Sequence, residues 1–193
     1  MSSEISQVSE TELLRRALHG DKQAFGSLYE LYLDPIYRYI YYRVGDHTEA
    51  EDLTEMVFLK AWEQLPRTRK GAEVRNFRAW VYRIAHNLVV DRHRTRKPIT
   101  SLDQHNEAQA PAASPETLAE HSEQSDTLQA AIMQLEPDLQ QVIILRFVNQ
   151  LSHAETGRIL GKQEGHVRVL QYRALQKLRE ILKKDYGDER SNH

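Results

Sequence analysis

Between Phe77 and Lys97 the chain reads FRAWVYRIAHNLVVDRHRTRK, a set of residue types suited to handling a polyanion. Arg78, Arg83, Arg92, Arg94, Arg96 and Lys97 can neutralise phosphates, Trp80 and Tyr82 can stack on unpaired bases, and the Asn87 amide can read a base edge. Trp80, Val81, Ile84, Ala85 and Leu88 recur at spacings of three and four, which predicts one amphipathic helix with most of its cations off the apolar stripe. A lone helix of this kind is more often a plain solvated face. A second basic stretch near the C-terminus, Glu164 to Leu182, shifts the weight towards nucleic acid.

The elements that must position these groups are helical by composition. In 193 residues, 40% are hydrophobic, only 8% are aromatic, and glycine and proline are few, which favours an all-α chain over a sandwich or barrel. No apolar run approaches the roughly 18 residues that cross a bilayer, so no membrane insertion is expected. The first residues, MSSEISQVSETELL, lack the basic-then-apolar layout of an export signal, and there is no cysteine; both fit a cytoplasmic protein. The nine histidines are scattered without metal-ligand spacing, so neither a metal nor a cofactor is expected.

The net charge of −2 conceals strong segregation. Residues 46–64 carry six acidic groups and one basic; residues 67–97 carry ten basic and two acidic. Residues 98–126 carry six acidic groups and no basic ones, and residues 158–184 carry eight basic and two acidic. Two basic blocks flanking an acidic stretch suggest two contacts with one polyanion.

In chain order, Ser9 and Glu12 predict a capping box before a helix with Leu13, Leu14, Ala17 and Leu18, which Gly20-Asp21 ends. A tyrosine-rich helix follows, with Phe25, Leu28, Tyr29, Tyr32, Ile36, Tyr37, Ile40 and Tyr41 as a core face, and Pro35 is expected to kink or divide it. After Gly45-Asp46 comes a helix from Glu49 to Trp62. Its Ala50, Leu53, Val57, Ala61 and Leu65 face the core, and its Asp52, Glu55, Met56, Leu59 and Glu63 face outward. Apolar groups left among exposed acids often mark a protein contact. Pro66 ends that helix, and Arg67 to Asn76 is a basic connector. Residues 98–126, rich in Ala, Pro, Ser, Glu and Gln, read as a flexible acidic linker, dividing the chain into domains at 1–97 and 127–193. Beyond it, Leu128, Ile132 and Leu135 mark a short helix, and Pro137 opens another with Leu139, Val142, Ile143, Leu145 and Phe147 inside it. Ser152 and Glu155 form a second capping box, on a helix that stops at Gly161. A turn and the basic helix Glu164–Leu182 complete a helix-turn-helix layout.

Three segments, EAEDLTEMVFLKAWEQL, NFRAWVYRIAHNLVVDRHR and LSHAETGRILGKQEGHVRVLQYRALQKLRE, in this order around an acidic linker, resemble the sigma-70 family of bacterial transcription initiation factors, in its small extracytoplasmic-function group. The resemblance runs from about residue 20 to residue 182, apart from the linker. It implies two helical domains, the family's second and fourth conserved regions, that bind RNA polymerase core and give it promoter specificity. It also implies no catalytic residue, because the polymerase does the chemistry.

Carried over to this chain, the resemblance makes Asp52, Glu55, Met56 and Leu59 the positions that dock on the clamp helices of the largest core subunit. Tyr82, Arg83, Asn87, Asp91 and Arg92 match the helix that reads the melted minus-ten element, and Arg75 and Asn76 belong to the loop that pockets a flipped base. His166, Arg168, Val169, Tyr172 and Arg173 match the face that enters the major groove at the minus-thirty-five element. Partners implied are the polymerase core, through its clamp helices and its flap, promoter DNA, and an anti-sigma factor. The chain departs from the family pattern in three places. Glu55-Met56 stands where Gln-Glu is common. Val169-Leu170 and Gln171 replace a small polar residue, an arginine and an apolar residue, with Leu170 expected to take the core role. Thr156-Gly157 replaces an apolar-alanine pair, and the glycine is expected to let the helices approach more closely.

Other classes explain less. A stand-alone helix-turn-helix regulator accounts for Leu151 to Leu182 and leaves the Trp80 and Arg83 helix without a use. An anti-sigma-type interaction protein would not need both basic faces. No paired carboxylates, nucleophile constellation or phosphate loop supports an enzyme.

Overall fold

The computed structural model describes residues 9–65, 74, 76–96 and 127–189, and every element among them is helical. Four helices form the first half: α1 Glu10–Leu18, α2 Lys22–Val44, α3 His47–Gln64 and α4 Phe77–Arg96. Residues 127–133 form α5; α6 is Pro137–Ile143, α7 His153–Leu160 and α8 Glu164–Glu189. The expected domain limits at 97 and 127, the acidic stretch 98–126, and Arg75 with most of the basic connector lie outside the described residues.

Local signals set most of the boundaries. Ser9 caps α1, its hydroxyl accepting from the Glu12 N–H at 3.3 Å, but the Glu12 carboxylate turns to Arg15 at 2.6 Å, so the expected capping box is only half formed. Asp21 caps α2 by accepting from the N–H groups of Gln23 and Ala24. Of the two outcomes expected at Pro35, division does not occur: α2 runs through it from Lys22 to Val44. Proline removes only the bond to the carbonyl four residues back, and Leu31, which loses that partner, is 51% exposed, where water can serve the carbonyl.

The first core is a stack of apolar side chains from α2, α3 and α4, with Leu28, Ile36, Ile40, Val57, Phe77, Val81 and Ala85 all fully enclosed. Of the expected tyrosine stripe, Tyr32 is buried while Tyr37 and Tyr41 stay half-buried and stack with His47. The sequence reading missed Tyr39, which is completely enclosed edge-on against Tyr82 at a centroid separation of 5.6 Å.

In the second half, Pro137 stands first in α6, where its missing N–H costs nothing. The helix then widens into a π-turn over Ile144–Val148, with the Asn149 N–H donating to the Ile144 carbonyl at 3.0 Å, and Phe147 is left 50% exposed. Ser152 and Glu155 form the complete capping box at the start of α7. Gly161 ends α7 at φ 63°, a left-handed conformation that glycine adopts without a Cβ penalty. The last helix continues past the expected end at Leu182. The two halves pack on one another, α7 against α4 and the π-turn against α2.

Candidate nucleic-acid interface

Three exposed surfaces carry the predicted contact residues. On α3, Asp52 and Glu55 are exposed beside Met56 at 44% and Leu59 at 58% exposure, while Ala50, Leu53, Val57 and Ala61 face the core. The helical period alone separates these two sets. A groove of about 430 Å³ runs between α3 and α4, with Asp52, Met56, Leu88 and Arg92 among its walls.

On α4 the predicted residues divide among three sides. Arg83 and Asn87 are exposed and, with Trp80, Gln64 and Ile84, line a hollow of about 340 Å³. Cation, amide and indole thus share one concave surface, an arrangement able to hold an unstacked base. Arg92 turns the other way and donates from Nε to Glu49 at 2.9 Å, joining α4 to α3, while the neighbouring Asp91 is exposed. Asn76 is the cap of α4: its side-chain oxygen accepts from the Ala79 N–H at 2.8 Å, which commits half of that amide to the helix start.

Tyr82 departs from the expectation of a base contact. It is 1% exposed, and its hydroxyl accepts from the Asn149 amide nitrogen at 2.8 Å; burial pushes that hydroxyl up to about 12. The reason is the packing of the second half against α4, which no local pattern in the chain signals. In this arrangement Tyr82 meets no base. Arg78 is held on the same side, donating to the Asn149 carbonyl at 3.1 Å and lying 3.6 Å from the Glu155 carboxylate. Burial works to raise the Glu155 carboxyl, but hydrogen bonds from Ser152 and the charges of Arg78 and Arg158 outweigh it and hold the group below its ordinary range.

On α8, His166, Arg168, Val169, Tyr172 and Arg173 are all exposed on a continuous side. Arg168 is paired with Glu164 one turn earlier at 2.5 Å, and the Tyr172 hydroxyl accepts from Gln176 at 2.7 Å. Leu170 takes the core position as expected, at 6% exposure. Gln171 is no misplaced polar group: its side-chain oxygen accepts from Arg146 Nε at 3.0 Å and lies 3.0 Å from His153 Nε2. That three-residue link ties α8 to the start of α7 and to the π-turn.

The glycine at 157 has a physical cause. A Cβ there would stand 2.6 Å from the Lys162 carbonyl oxygen, a backbone atom of the turn. Only a residue without a side chain lets the turn fold back this tightly on α7. Among the described residues no cluster of His, Asp and Glu could hold a metal ion, and no helix is long and apolar enough to cross a membrane.

Residues 28–99 match the family model described as Sigma-70 region 2, and residues 131–180 match Sigma-70, region 4. The chain is 42% identical over 178 residues to the ECF RNA polymerase sigma factor BldN of Streptomyces coelicolor, a match covering 90% of this chain and 66% of that protein. It is 31% identical over 180 residues to the ECF RNA polymerase sigma factor SigW of Bacillus subtilis, covering 88% of this chain and 95% of that one. In fold it resembles CnrH, solved in complex with the cytosolic domain of CnrY, with a TM-score of 0.71 at 23% identity, covering 91% of this chain and 98% of CnrH.

Proposed function

This chain belongs to the sigma-70 family, in its extracytoplasmic-function group, and on that premise we propose that it binds bacterial RNA polymerase core and directs it to specific promoters. The hollow formed by Trp80, Arg83 and Asn87 takes a base of the melted minus-ten element. The exposed side of α8 enters the major groove at the minus-thirty-five element, with His166, Arg168 and Arg173 supplying donors and Val169 and Tyr172 apolar contact. The chain works in the cytoplasm, uses no cofactor and is not an enzyme. Its regulation runs through an anti-sigma factor.

The observation that carries this reading over a stand-alone regulator is the outer side of α3. Met56 and Leu59 remain uncovered between Asp52 and Glu55, a surface with no use for binding DNA and a ready one for docking a protein with basic and apolar groups. We assign it to the clamp helices of the largest core subunit, and the second half to the flap. Run-off transcription with polymerase core and a library of promoter fragments tests the whole reading. Transcripts from a defined subset are expected, and none from any fragment would overturn it.

A further inference from the structure

The helix α8 is held to its half of the chain in two different ways. Along one side Val167, Leu170, Ala174 and Leu178 are buried, and apolar packing of this kind has no preferred direction. At Gln171 the hold is directional. Its side-chain oxygen accepts from Arg146 Nε at 3.0 Å and lies 3.0 Å from His153 Nε2. Arginine can only donate, which fixes the way the amide points; the amide oxygen can only accept, so His153 Nε2 carries the hydrogen. The same Arg146 guanidinium donates from Nη1 to the Leu151 carbonyl. A planar, rigid fork thus fixes α8 against the backbone that leads into α7.

Each member of the link is itself set in place by local structure. Arg146 belongs to the π-turn Ile144–Val148, a wide turn of the kind that recurs at functional sites. The Leu151 N–H donates back to the Leu145 carbonyl at 2.9 Å, which closes the segment after that turn. His153 is the first residue of α7, directly after the capping box of Ser152 and Glu155. In the family pattern an apolar residue stands at 171; here Leu170 takes the core position, which leaves 171 for a polar group. Arg146, His153 and Gln171 are all half-buried, so water competes for their bonds and the net gain in stability is modest. What the link supplies is an angle.

We infer that Gln171 is a positioning residue for reading the minus-thirty-five element: without touching DNA, it sets the rotation of α8 through Arg146 and His153. The inference rests on the promoter-binding reading above. Arg168, Val169, Tyr172 and Arg173 are its neighbours along α8, and all four are exposed. Side-chain atoms lie about 5–6 Å from a helix axis, so turning α8 by about 10° displaces them by about 1 Å. Hydrogen-bond lengths span only about 0.5 Å, so a turn of that size breaks a bidentate contact to a base edge. Attraction between a cation and a phosphate falls off slowly with distance and tolerates it. Loss of the link therefore costs sequence discrimination and spares non-specific affinity.

The test uses the full chain with polymerase core and two versions of one promoter fragment chosen by run-off transcription, with the minus-thirty-five element intact or scrambled. The ratio of the two affinities at fixed salt measures discrimination. In Gln171→Leu it should fall by about tenfold, within the range that one bidentate base contact supplies, and the loss should spread across the element. Affinity for the scrambled fragment, its salt dependence, binding of polymerase core and helical content should stay as in the wild type. Gln171→Glu keeps an accepting oxygen, and its charge weakens binding to both fragments alike, so discrimination should be retained. Arg146→Lys lacks the fork and should lose as much as Gln171→Leu, with the double variant losing no more than either. A wild type that does not discriminate would overturn the minus-thirty-five reading and this inference with it. A discriminating wild type matched by Gln171→Leu would overturn the positioning role alone. A change confined to one base pair would make Gln171 a direct base contact, and equal losses on both fragments would make it a support of the fold; either result overturns the inference.

Discussion

The helices α4 and α8 each carry a basic surface suited to DNA, yet the chain treats them differently. On α8 the predicted contact residues share one open side, and the apolar residues Val167, Leu170, Ala174 and Leu178 hold the other. On α4 the functional residues are split. Arg83 and Asn87 face a hollow, Arg92 is spent on Glu49, and Arg78 and Tyr82 are engaged by the second half of the chain. A helix that reads intact duplex needs one rigid convex ridge, whereas one that holds a flipped base needs a pocket and shares its remaining sides with neighbours. The second arrangement leaves α4 open to control by packing, and α8 is not so exposed to it.

The strongest challenge to this contrast is the double variant Arg83→Ala/Asn87→Ala. With about 1–3 kcal/mol for each base-reading contact, open-complex formation should fall by about thirtyfold or more while affinity for polymerase core is unchanged. An equal fall in core affinity, measured by titration, would erase the distinction between the hollow and the docking surface. The reciprocal variant, Asp52→Lys on α3, should weaken core binding by about tenfold, on the order of 1.4 kcal/mol, and leave the purified protein's helical content intact. Core affinity unchanged by that reversal would reassign the α3 surface.

A smaller effect sharpens the α8 side. Gly157→Ala gains about 1 kcal/mol of helix propensity but drives a methyl onto the Lys162 carbonyl, and overpacking against backbone costs about 1–3 kcal/mol. A net loss of about 1 kcal/mol in thermal stability is expected, together with weaker minus-thirty-five binding. A stabilised protein with normal duplex binding would show that the turn is not as tight as the geometry requires.

The smallest effect concerns pH and α4. His86 lies half-buried with its Nδ1 3.4 Å from the Tyr39 hydroxyl, near Arg43 of α2, Asp138 of α6 and Lys162 of the turn. Burial, then the charges of Arg43 and Lys162, hold its pKa below the ordinary value, with Asp138 opposing them. The folded chain therefore binds fewer protons at this site than the unfolded one. This contribution to folding is fully present above about pH 6.5, the ordinary histidine value, and is lost as pH falls below it. The melting temperature should fall modestly between about pH 7.5 and about pH 5.5, and His86→Gln should flatten the change; an equal fall in both proteins would remove His86 as its source.

Sequence periodicity was enough to show the α3 surface, because its exposed and buried sets separate at helical spacing, whereas the α8 face was named through the family resemblance. The Ser152–Glu155 capping box forms where its spacing places it, whereas Asp21 and Asp46, which cap α2 and α3, read in the sequence only as parts of the breaks before those helices. What stayed hidden was long-range. Tyr82 and Arg78 lie off the apolar stripe of α4 and read as DNA contacts, but their partner, Asn149, is 67 and 71 residues away in sequence. Tyr39 is the nearer case: it lies three residues after Ile36 and seven after Tyr32, on the buried side of α2, and packs edge-on against Tyr82. Pro35 did not divide α2, because one missing hydrogen bond at an exposed position does not outweigh a core of Leu28, Ile36 and Ile40. The Gly157 departure was legible as a cost in helix propensity, but only the three-dimensional position of the Lys162 carbonyl explains why glycine is required there.

The most direct test of the whole account is the affinity of the purified chain for one promoter fragment, measured by titration with and without polymerase core at a fixed salt concentration. Weak binding alone and tight, sequence-dependent binding with core is the expected result, with Asn87→Ala and Arg168→Ala each reducing only the second. Tight binding to duplex DNA without polymerase, unaffected by adding core, would contradict the account.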